Sequence, residues 1–133
     1  MARERSSIPF TADGWVVSVT VRETEQAPRV AWEAVIAVLP DLTSEDRDLA
    51  LREPHVVRKP VAYKAGFHIS PALRVVAVQG GWWYRGVTAV EPSGDGARLT
   101  HIVLNIAPGW TRWIAHLVQV RQYRARNHDL TAN

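Results

Sequence analysis

Five histidines and three tyrosines are the residues from which proton-transfer chemistry could be drawn, because the chain contains no cysteine. That absence excludes thiol nucleophiles, thiolate zinc sites and disulfides. His55, His68, His101, His116 and His128 show no metal-ligand spacing, and no HExxH pattern or paired carboxylate accompanies them. No metal and no cofactor are therefore expected. The GDG at Gly94 to Gly96 reads as a hairpin turn and not as a phosphate loop, and no serine elbow is present, so covalent catalysis is not expected either. What remains is non-covalent acid/base and polarising chemistry.

His101 is the first candidate, since an imidazole titrates near pH 6.5 and burial readily moves it. In the stretch ARLTHIVLNI, strand alternation puts Leu99, His101, Val103 and Asn105 on one side. In the preceding stretch Trp82, Tyr84, Gly86, Thr88 and Val90 share a side, with Trp83 and Arg85 opposite. A buried phenol at Tyr84 needs a partner, which His101 or a ligand oxygen could supply. A histidine merely bonded to a neighbouring strand is the plainer reading of His101. Arg121 falls on an apolar helical stripe one turn beyond Leu117. A buried, unpaired guanidinium is too costly to persist. It must snorkel outward, pair with a carboxylate such as Glu23, or anchor an anionic or carbonyl group of a ligand.

The elements that must position these residues follow from periodicity. WVVSVTVRE alternates, with Val17, Val19 and Val21 on one face and Ser18, Thr20 and Arg22 on the other, as in a half-buried strand. APRVAWEAVIAVL carries Trp32, Val35, Ile36 and Leu39 at helical spacing behind a proline suited to a first turn. A short second helix is expected from Ser44 to about Leu51, capped by Thr43 or Ser44. His55 to Ile69 reads as two short strands or one edge strand interrupted at Pro60. Strands at Leu73 to Val78, Trp82 to Val90 and Ala97 to Ile106, joined by Gly80-Gly81 and EPSGDG, make an antiparallel meander. After Gly109 the stripe Trp110, Trp113, Ile114, Leu117 and Val118 predicts an amphipathic helix of roughly four to five turns.

With 133 residues, 47% hydrophobic and 22% charged, the chain should fold as one domain, residues 1–12 and 128–133 being flexible ends. Its net charge of +3 is scattered; Arg121, Arg124 and Arg126 form its one local concentration, so no nucleic-acid partner is expected. No apolar run is long enough for a signal peptide or a bilayer span, and neither membrane insertion nor any compartment but the cytoplasm is expected. Monomer and homodimer are equally open.

The order strand, helix pair, antiparallel meander, terminal helix resembles the START-like (SRPBCC) superfamily, which includes polyketide cyclases, lipid-transfer domains and birch-pollen-allergen-like proteins. The likeness is carried by TEQAPRVAWEAV, by WWYRGVTAVEPSGDGARLTHIVLNIA and by the amphipathic stretch after Trp110. It implies an α+β helix-grip fold, a curved sheet wrapped around a long C-terminal helix, with a cavity between them for a small hydrophobic or aromatic molecule: polyketide-, lipid- or isoprenoid-like. By that match Tyr84 and His101 face inward as an acid/base and polarising pair for cyclisation or dehydration. Trp82, Leu99, Val103 and Asn105 would line the cavity from the sheet, and Trp113, Leu117 and Arg121 from the helix. Tyr63 and His68 are further candidates for its wall. A non-catalytic carrier would use the same cavity. An interaction module built on Trp83 and the basic helix end is the alternative of a different class. Fold signatures speak to architecture more than to activity.

Overall fold

The computed structural model describes residues 8–11, 14–39, 42–53, 56–58, 66–114 and 117. It is α+β, with one curved, fully antiparallel sheet of six strands among the described residues. Strand β1 (Trp15–Thr24) leads into helices α1 (Pro28–Val38) and α2 (Ser44–Arg52). These carry the chain across to the far edge, where β2 (Val56–Arg58) begins a meander through β3 (Gly66–Ser70), β4 (Val75–Gly80), β5 (Tyr84–Ser93) and β6 (Gly96–Asn105). The spatial order β1-β6-β5-β4-β3-β2 brings the last strand back beside the first. Each meander step is a hairpin, so no crossover helix is required.

Local chemistry accounts for the boundaries. Pro28 occupies the first turn of α1, where its missing N–H costs nothing. Thr43 caps α2 in a capping box, accepting from the Asp46 N–H at 3.0 Å while the Asp46 carboxylate accepts from the Thr43 N–H at 3.3 Å. The β4–β5 turn is Gly81 to Trp83, with Gly81 at φ +61°, so β5 starts at Tyr84 and not at Trp82. Between β5 and β6 the turn is Gly94-Asp95, with Gly94 at φ +56° as a two-residue hairpin requires. Arg74 at φ +54° closes the β3–β4 turn, and β4 accordingly begins at Val75 rather than Leu73.

Both faces of the sheet are covered in part. On the concave face the two helices bury Trp32 and Ile36 against Phe67, Ile69, Val76 and Val90. On the other, Ile8 and Phe10 pack over Val75, Ala77, Val87, Ile102 and Leu104. The periodicity of β1 does not survive intact: a bulge between Val16 and Ser18 turns Val17 inward against Val103, whereas Val19 packs on the opposite face and Val21 is exposed. Thr20 and Arg22, expected on the side away from the core, thereby join the concave face.

The described residues show only the start of the expected terminal helix. Residues 111–114 and 117 are helical, and Trp110, Trp113, Ile114 and Leu117 are exposed. The remainder of that stretch, with Val118 and Arg121, lies outside the described residues, as does Tyr63.

Candidate functional site

Among the described residues, the two helices leave a strip of the concave face uncovered along β1, β6 and β5. Register fixes what lines it: His101 of β6 stands opposite Thr20 of β1 and Thr88 of β5, and Leu99 stands opposite Arg22 and Val90. Facing pairs of this kind hold their Cβ atoms about 4.5–5.5 Å apart. The strip forms a trough of adjoining hollows. One of about 370 Å³ is lined by Leu39, Val78, Gly80, Tyr84, Gly86, Thr88 and His101. A second, of about 310 Å³, shares Thr88 and His101 and adds Thr20, Arg22 and Leu99. A third, of about 360 Å³, continues from Arg22 and Leu99 along Ala34, Val35 and Val38 of α1.

The geometry at Gly86 brings the two principal candidates together. Tyr84 lies along the sheet over this glycine, so that a Cβ there would overlap the phenol oxygen, sit 3.0 Å from Cζ and lie 3.2 Å from His101 Cε1. Phenol tip and imidazole edge thus converge on one point. Glycine is required by that close approach, not by its backbone angles.

His101 Nδ1 is 2.9 Å from the Thr88 hydroxyl. If the hydroxyl donates, Nε2 carries the proton and can donate to a ligand oxygen. If Nδ1–H donates, Nε2 is a lone-pair base. In both tautomers Thr88 holds the ring and leaves Nε2 to a ligand. Burial pushes the His101 pKa below its ordinary 6.5 by penalising the cation, so the ring is neutral at pH 7.

Other residues singled out from the sequence fall elsewhere. His68 pairs with Ala77 and lies 5.5 Å, centroid to centroid, from the Phe10 ring, which puts it on the opposite face from the trough. Trp82 sits in the β4–β5 turn, 53% exposed, and not on a strand face. Trp83, expected opposite Tyr84, meets that ring edge-on at 5.6 Å beside Val17 and Val103. Val103 is buried in that small cluster. Asn105 is on the concave side but fully buried, with its amide committed to the backbone: it donates to Arg112 O at 2.6 Å and accepts from Ala107 N–H at 3.0 Å. Trp113 packs edge-on against Trp15 at 4.9 Å, and Arg112 lies over the Trp15 ring. Neither Trp113 nor Leu117 lines the trough hollows.

Thr88, Thr20, Arg22 and Leu39 line the trough without having been singled out. Alternation had already grouped Thr20 with Arg22; the missing signal was which face of β1 the bulge turns inward. Among the described residues no group of three His, Asp or Glu is placed to hold a metal ion, and no helix is long and apolar enough to cross a membrane. Comparison with protein-family models, curated proteins and solved structures gives no match. The site must be read from its own geometry.

Proposed function

We propose that the trough binds a small, largely apolar molecule, polyketide-, lipid- or isoprenoid-like, through its flank while His101 and Tyr84 address one of its oxygens. The observation that carries this reading is the convergence of phenol and imidazole over Gly86 in a hollow whose remaining walls are mostly apolar. Concave apolar sites with a few convergent polar groups are the usual form of small-molecule sites.

A START-like helix-grip arrangement is the form this function would take. In it, the amphipathic stretch after Trp110 closes over the open strip of the sheet. Two apolar surfaces of the same chain support that idea, the trough and the exposed stripe of Trp113, Ile114 and Leu117, each of which gains by burial.

Within the closed site a neutral imidazole held by Thr88 suits general base or donor chemistry, such as cyclisation or dehydration of a reactive chain. Native mass spectrometry of freshly purified protein tests occupancy. A co-purified small molecule is expected, lost when Leu99→Trp fills the trough; a bare mass for wild type under all purification conditions contradicts the reading. Once a substrate is known, His101→Ala and Tyr84→Phe separate the two modes. Turnover falling roughly a hundredfold at near-constant affinity marks catalysis, and a change in affinity alone marks carriage.

A further inference from the structure

Among the described residues one cation lines the trough, the solvent-exposed Arg22. Arg22 faces the concave side opposite Leu99, two positions along β1 from Thr20, which stands opposite His101. At about 3.4 Å per residue the two positions are roughly 7 Å apart along the strand. Arg22 lines both the hollow that contains His101 and the one that runs along Val35 and Val38 of α1.

Two carboxylates of β1 and α1 are held by other cations. Glu23, its neighbour in sequence, points to the other face and is held by Arg98 at 2.6 Å. That contact holds the Glu23 carboxyl below its ordinary pKa and leaves it committed as an anion. Glu33 of α1 lies 3.9 Å from Arg29. Among the described residues the Arg22 guanidinium has no ion pair or side-chain hydrogen bond. A guanidinium offers a planar fork of donors that fits an oxyanion in bidentate fashion.

We propose that Arg22 is the anion anchor of the trough, so that the molecule bound there is an acid. Its carboxylate, sulfonate or phosphate meets Arg22, its apolar body lies against Leu99, Val35 and Val38, and a neutral oxygen reaches His101 and Tyr84. This rests on the reading of the trough as a ligand site, and it adds the chemical class of the ligand.

The test uses two fluorescent probes of one skeleton, anilinonaphthalenesulfonate and its uncharged parent N-phenylnaphthylamine, titrated into the full chain at low ionic strength. The expected result is an affinity about two- to fivefold higher for the sulfonate, the scale of an ion pair at a solvent-exposed guanidinium. Arg22→Gln should erase the preference, with the sulfonate's affinity falling more than the amine's, Arg22→Lys should keep part of it, and Arg29→Gln, on the outer side of α1, should keep all of it. Circular dichroism verifies that each variant is folded. Equal affinity of wild type for the two probes, or a preference that survives Arg22→Gln, overturns the anchor and leaves the trough reading standing. Failure of both probes to bind saturably, with or without Leu99→Trp, removes both.

Discussion

Replacing Gly86 by alanine probes the centre of the site without touching either polar group. In an ordinary strand the substitution stabilises by about 0.4–1 kcal/mol, because alanine has less freedom to lose on folding. Here the new methyl overlaps the Tyr84 oxygen and lies 3.0 Å from Cζ and 3.2 Å from His101 Cε1, so the phenol ring must move. Overpacking of this kind costs about 1–3 kcal/mol. The two together run from about no change to a net loss of about 2.6 kcal/mol in the wild-type background. In a Tyr84→Ala background the obstruction is gone, and Gly86→Ala should become stabilising by about 0.4–1 kcal/mol. The coupling between the two positions then lies in the range of about 0.5–3 kcal/mol seen for residues in contact. Urea unfolding of the four proteins in the cycle measures it. A stabilising Gly86→Ala in the presence of Tyr84, or a coupling indistinguishable from zero, would show that the phenol does not lie over Gly86, and the convergence with His101 would go with it.

Acidification tests His101. Its folded-state pKa lies below the unfolded value of 6.5, so its contribution to stability is complete above about pH 6.5 and is lost as pH falls through the depressed folded value. Melting temperatures between pH 8 and 5 should fall more steeply for wild type than for His101→Gln, and equal slopes would refute the burial of the ring. Asn105→Ala removes two hydrogen bonds and strands the buried Ala107 N–H; a loss of about 2–3 kcal/mol in urea unfolding is expected, and less than about 0.5 kcal/mol would contradict the anchoring role. Trp32 is buried with an indole N–H that has no hydrogen-bond partner among the described residues. Trp32→Phe should therefore change stability by less than about 1 kcal/mol, whereas Trp32→Ala should cost about 3–5 kcal/mol; similar losses for the two would show that the nitrogen is satisfied.

Much of the framework is legible in the residues. Pro28, the Thr43 cap and the helical spacing of Trp32 and Ile36 mark the helix pair, and alternation in ARLTHIVLNI places Leu99 and His101 on one side, because these signals are local. The bulge at Val17 is not legible, since it depends on how β1 pairs with β6, and it decides that Thr20 and Arg22 face the trough. His68 illustrates the same limit: its strand was recognisable in outline, but its face is set by pairing with β4 and by Phe10 packing from a distant part of the chain. Asn105 looks like a ligand contact from alternation alone. Only the fold reveals that the chain turns at Ala107 and uses up its amide.

The central claim, that the strip between α1, β1, β6 and β5 is a ligand site, is tested most directly by a two-dimensional amide spectrum of the isotopically labelled chain titrated with N-phenylnaphthylamine. Saturable shifts confined to Thr20, Arg22, Gly86, Thr88, Leu99 and His101 and their neighbours on α1 are expected. Shifts concentrated on the opposite face, around Ile8, Phe10 and Val87, or no saturable shift at all, would contradict it.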